Sequence, residues 1–171
     1  MKKKIKQILP ITISLIISAT ILTAGWIADD AKMNGITISA EGSGVEVLLK
    51  TPDTEFGQTA TVGITAELKP CVYKNGKFYD QYNNEVTDNT DYVVSQTIIY
   101  QAEKSCSLTA SKVVSGSLPC GVVIEDTEVT TDTALFKAAT TPRSATVRFY
   151  VDGEKFTEGG TANVIVTIHG E

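Results

Sequence analysis

Beyond Trp26 apolar and polar positions alternate in short segments rich in Val, Ile, Thr and Tyr, and clusters of Gly, Asn, Asp and Pro separate them. A period of two marks half-buried strands, and those small or turn-forming residues mark the connections. The clearest strand segments are 36–39, 45–49, 59–68, 92–100, 107–114, 122–124, 146–151 and 163–168. Within Val72–Tyr79 the pair Asn75-Gly76 supplies the positive φ angles of a type I′ hairpin turn, and Asp152-Gly153 after Val151 makes a similar offer. No window of a dozen residues past Met33 carries a convincing helical stripe; 132–139 has room for two helical turns at most. Roughly eight to ten strands without intervening helices predict an all-β fold, an antiparallel β-sandwich of jelly-roll-like type, as a single domain over 36–171. Alternation places Val147, Phe149 and Val151 opposite Arg148 and Tyr150, and Val164, Val166 and Ile168 opposite Ile165, Thr167 and His169. The expected core is Val93, Ile98, Tyr100, Val147, Phe149, Val151, Val164 and Val166.

The first 25 residues break this pattern. Lys2, Lys3, Lys4 and Lys6 precede an uncharged run from Ile8 to Gly25, the layout of a secretory signal peptide. The run also reaches the ~18–20 residues that cross a bilayer as a helix, so a retained membrane anchor is the other reading. Pro10 and five Ser/Thr within it favour the signal, and the small residues Thr23 and Gly25 suit cleavage before Trp26. Residues 26–35 read as a linker. The expected location is secreted or on the extracellular cell surface, membrane-anchored if the segment is kept, with signal peptidase as the partner during export. The whole chain carries −5; without its first 25 residues it keeps 11 basic against 20 acidic side chains, which argues against a nucleic-acid partner.

Gly25-Trp26-Ile27-Ala28 followed by Met33-Asn34-Gly35-Ile36-Thr37-Ile38 resembles the start of envelope proteins that Gram-positive bacteria export with a SipW-type signal peptide, the TasA and camelysin group. Tyr79–Val94, Ile99–Leu108 and Ala145–Glu154 look similar to the same class. The resemblance covers about a third of the chain and includes no catalytic motif. It implies a jelly-roll domain outside the cell, in some relatives a subunit of biofilm-matrix fibres joined by donation of an N-terminal strand. The chain is much shorter than TasA and carries cysteines. The segment 36–40 is free of charge and apolar on alternate positions, so Ile36 and Ile38 are the candidate assembly residues, filling either their own sheet or that of a neighbour.

Three cysteines follow the N-terminal run, and an oxidising compartment permits one disulfide among them. Cys106 with Cys120 closes the shortest loop and is the expected pair; Cys71 with Cys106 is next. A peptidase reading, prompted by camelysin, fails for want of ligands: a zinc peptidase of the usual kind needs two His on a helix, and this chain has one, His169, expected to cap an edge strand in solvent. No catalytic residues and no enzymatic activity are expected. Calcium is the only candidate cofactor; Asp88, Asn89 and Asp91, with Asn83, Asn84 and Glu85 before them, form the first candidate site and Glu125–Glu128 with Asp132 the second. Asx turns account for the first cluster equally well. Trp26, Tyr73, Phe78, Tyr79, Tyr82 and Tyr92 raise the option of a glycan-binding face. The leading expectation is a structural surface protein that partners itself, as a homopolymer, or other envelope proteins. A monomeric extracellular module binding glycan or protein is the alternative.

Overall fold

The computed structural model describes residues 31–42, 45–62, 66–87 and 90–171. The signal or anchor segment lies outside them. Among the described residues there are strands and no helix: β1 (Ala31–Gly42), β2 (Val47–Lys50), β3 (Thr59–Val62), β4 (Ala66–Glu67), β5 (Val72–Lys74), β6 (Lys77–Tyr79), β7 (Val93–Ala102), β8 (Cys106–Gly116), β9 (Cys120–Ile124), β10 (Thr127–Glu128), β11 (Asp132–Ala138), β12 (Arg143–Val151) and β13 (Gly160–Gly170). One sheet runs β11-β8-β13-β1-β3, with β4 also on β1; the second runs β10-β9-β12-β7-β2; β5 and β6 form a separate hairpin. Every strand pairing is antiparallel except β1 with β13, which run parallel from Ala31↔Gly160 to Gly42↔Gly170.

Apolar side chains from both sheets meet in one core. Ile36 and Ile38 of β1, Ile98 of β7, Leu108 of β8, Val147 and Phe149 of β12 and Val166 of β13 are all fully buried in it. Seven of the eight expected core residues sit here; Val93 packs elsewhere. It joins Cys71, Phe78, Val123 and Tyr150 in a second cluster on the outer face of the smaller sheet. The β5–β6 hairpin covers that face. Its turn is the expected Asn75-Gly76, with φ of 52° and 78°. It carries Tyr73 and Phe78 onto Tyr150, with ring centroids 6.4 and 5.3 Å away. Tyr150 packs closely over its register partner on β9 because residue 121 is glycine: a Cβ there would sit 2.0 Å from the Tyr150 ring.

Four local features differ from the sequence reading. β1 begins at Ala31, inside the expected linker, because Lys32 and Met33 pair with Glu67 and Ala66 of β4 as well as with β13. Residues 132–138 form a strand instead of helical turns; pairing with β8 decides the outcome where intrinsic preference is weak. Asp152-Gly153 does not make a two-residue hairpin. The Asp152 side chain accepts the Glu154 amide at 3.1 Å, and the next strand, β13, belongs to the other sheet. A second tight hairpin, β9–β10, turns instead on Glu125-Asp126, both with positive φ (46° and 63°) and neither a glycine.

Candidate functional site

The segment singled out for assembly occupies an interior position of its sheet. β1 lies between β13 on one side and β3 and β4 on the other, so both of its backbone edges are paired along much of its length. Alternation then divides its side chains. Ala31, Met33, Ile36, Ile38 and Ala40 go into the core, the middle three with no exposure; Thr37, Ser39 and Glu41 face outward. The Asn34 position absorbs a register shift between Met33 and Gly35, which keeps apolar residues inward on both sides of it. Ile36 and Ile38 are therefore paired internally in the single chain.

Two side-chain contacts tie the outer face of β1 to β13. The hydroxyls of Ser39 and Thr167 are 3.2 Å apart. Two residues along, Glu41 Oε2 lies 3.7 Å from His169 Nδ1. The other imidazole nitrogen, Nε2, is 2.9 Å from Ser111 Oγ on β8. His169 thus sits on an interior strand and is fixed from two sides, which corrects its expected place at an edge in solvent. Its side chain is 31% exposed. The imidazole opens onto a shallow cavity of about 560 Å³ lined by Glu41, Thr109, Ser111, Asp132, Gly170 and Glu171. Sequence reading missed this group because its members come from four elements and share no motif.

Ser111, His169 and Glu41 follow the order of a nucleophile, a base and an orienting acid. Acyl transfer also needs donors aimed at the developing oxyanion. Ser111 lies on β8 where that strand pairs with both β11 and β13, so the backbone around it is committed to the sheet. Three carboxylates on the cavity wall oppose negative charge there.

The three thiols are unbonded. β8 separates Cys106 from Gly116 by roughly 30 Å of extended chain, and Cys120 begins β9 just beyond that far end, so the expected Cys106–Cys120 pair cannot reach the ~4.4–6.8 Å Cα separation of a disulfide. Cys71 lies at the same end as Cys120, but Cys71 bridges to Asp152 while Cys120 pairs with the preceding Val151. Neighbouring residues of a strand point to opposite faces, so one thiol enters the second cluster and the other the main core. Burial pushes each of these two thiols up to about 12.

The first calcium candidate is only partly covered, since Asp88 and Asn89 lie outside the described residues. Asp91 is bound to Lys69, Nζ to Oδ2 at 2.6 Å. Nearby, Lys74 Nζ donates to Asn83, Lys77 binds Glu85 at 2.7 Å, and Asp80 accepts the amides of Tyr82 and Asn84 in an Asx turn. In the second candidate, Asp126 accepts Arg148 at 2.9 Å and Glu128 accepts the Tyr150 hydroxyl at 3.4 Å. Among the described residues no three His, Cys, Asp or Glu side chains converge to hold a metal ion. The aromatic set does not form one face either. Tyr73 and Phe78 pack onto Tyr150, Lys74 covers Tyr79 and Lys69 covers Tyr92, which leaves Tyr82 as the exposed ring. Trp26 lies outside the described residues.

Over the described residues, the fold and these contacts define an all-β domain of two facing sheets, with its first described strand seated beside its last. No protein-family model matches the chain, and no curated protein matches it.

Proposed function

We propose that the chain is a secreted or cell-surface structural protein of the Gram-positive envelope, a subunit that joins copies of itself or other envelope proteins by exchanging β1. The observation that carries this reading is the seat of β1: an uncharged stretch from Ile36 to Ala40, buried on alternate positions, filling an interior slot between β13 and β3. A slot of that kind accepts the same strand from a neighbouring copy through the same hydrogen bonds and the same core contacts. Gly42-Ser43-Gly44, leading out of β1, is short of side-chain bulk and rich in the residue with the widest backbone freedom. We read the two sheets as jelly-roll-like, because the chain passes from one sheet to the other at most of its longer connections. The expected N-terminal signal or anchor supplies the route to the surface.

The test is a reversible lock. Ser39→Cys with Thr167→Cys places two thiols where hydroxyls now lie 3.2 Å apart and ties β1 to its own β13 when oxidised. The oxidised variant is expected to stay monomeric in electron micrographs and on a sizing column, and the reduced variant to form the multimers of the wild type. Multimers formed by the oxidised monomer overturn the exchange mechanism. A wild-type protein that never assembles favours the monomeric binding module instead.

A further inference from the structure

We propose that the Glu41–His169 contact is a pH-dependent latch on β1, which slows release of the strand when the imidazole is protonated and leaves the final extent of exchange unchanged. The consequence for assembly rests on the strand-exchange reading, whereas the latch itself is a property of the monomer. Glu41 and His169 are register partners on the two parallel strands, and their side chains approach to 3.7 Å on the outer face. His169 is the chain's only histidine, and histidine is the side chain whose charge ordinarily changes between about pH 5 and 8. Every charged group that shares the cavity with it is acidic: Glu41 from β1, Asp132 from β11, and Glu171 after β13; β8 contributes only the hydroxyls of Thr109 and Ser111. A protonated imidazole is therefore attracted from each side, and most directly by the strand that would leave. Ser111 holds the ring by Nε2, so Nδ1 stays turned toward Glu41.

Exchange breaks this contact and then remakes it. A β1 donated to a neighbour lies beside that neighbour's β13, so the donor's Glu41 meets the recipient's His169 in the same register. The initial and final states hold the same ion pair, and only the opened state lacks it. Low pH therefore raises the barrier in both directions and does not shift the balance. An exposed pair of this type changes the opening rate by about two- to five-fold, and salt near 1 M removes most of that difference.

The experiment is amide hydrogen exchange of the monomer at pH 5.5 and 7.5, corrected for intrinsic rates, on wild type, Glu41→Gln and His169→Gln. Protection of the β1 amides relative to those of β12 is expected to fall about two- to five-fold from pH 5.5 to 7.5 in the wild type, and to stay level in both variants. A pH response that survives in either variant, that is absent from the wild type, or that is equal in both sheets overturns the latch. In an assembly time course the wild type is expected to reach the same end point at both pH values, more slowly at pH 5.5. Different end points also overturn it. If the wild type forms no multimers at all, the exchange reading fails while the monomer measurement still decides the latch.

Discussion

Ile38→Ala compared with Thr37→Ala measures whether β1 is seated as an interior strand. Ile38 is fully buried against the core, and its neighbour Thr37 points to the outer face beside Ile165 and Thr61 in the pairing register. Removing the outer three carbons of the Ile side chain forfeits about 0.8 kcal/mol per methylene-sized group, roughly 2.4 kcal/mol, before any cavity is counted. The slot is walled by strands on both sides and cannot collapse freely, so the total belongs in the range of about 3–4 kcal/mol. Thr37→Ala removes no core contact and changes strand preference alone, at a cost under about 1 kcal/mol. Urea unfolding of the monomeric domain checks both, and at about 3 °C per kcal/mol thermal unfolding should separate them by roughly 6–12 °C. Equal small losses in the two variants would mean that β1 is loosely placed, and the interior slot would then be wrong.

Three other outcomes follow from the same geometry. Gly121→Ala puts a Cβ 2.0 Å from the Tyr150 ring, and displacing that ring from the second cluster should cost about 1–3 kcal/mol in chemical unfolding; an unchanged midpoint would show that Tyr150 does not lie over β9. Native protein treated with iodoacetamide at pH 8 should be alkylated at half-buried Cys106 and spared at Cys71 and Cys120, with three alkylations after unfolding; a mass two hydrogens light before treatment would reveal a disulfide. Because burial pushes the Cys71 and Cys120 thiols from 9.0 to about 12, they stay protonated in the fold while the unfolded chain loses those protons near pH 9. Stability should therefore decline as pH rises above about 9, and Cys71→Ala with Cys120→Ala should flatten that decline.

Period-two alternation made most of the fold legible, because the long strands of the two sheets have one face on the common core and their apolar positions repeat at the spacing of that face. Asn75-Gly76 was equally legible, since few residue pairs adopt two successive positive φ angles easily. Glu125-Asp126 adopts the same backbone without glycine, and no local signal announces it. Tyr150 shows the limit of alternation: the pattern puts it opposite the core, and it is nonetheless buried, because a hairpin from residues 72–79 returns to cover that face. The thiols fail for a related reason. Loop length favours Cys106 with Cys120, but the intervening residues are an extended strand, which holds its ends apart however few residues it contains. Ser111, His169 and Glu41 depend on long-range register across three strands, which composition and spacing do not encode.

The parallel pairing of β1 with β13 gives the proposed assembly its timing. The two strands are separated by more than a hundred residues, so the slot that receives β1 has only its β3 and β4 side until the last strand arrives. A chain that emerges from its N-terminus must hold β1 unpaired on that side through most of its synthesis, and contacts so distant in sequence form late in folding. Once β13 docks, Met33, Ile36 and Ile38 are sealed, each fully buried side chain contributing about 1.5–3 kcal/mol, and spontaneous release becomes slow. Exchange is then most accessible before the slot closes, when a neighbour's β1 and the chain's own compete for it. The balance between them is set by local concentration and by the residues that follow Gly42, because the core contacts and strand register are the same in both outcomes. An exported subunit crowded at a membrane surface meets the first of these conditions, and a dilute soluble one does not.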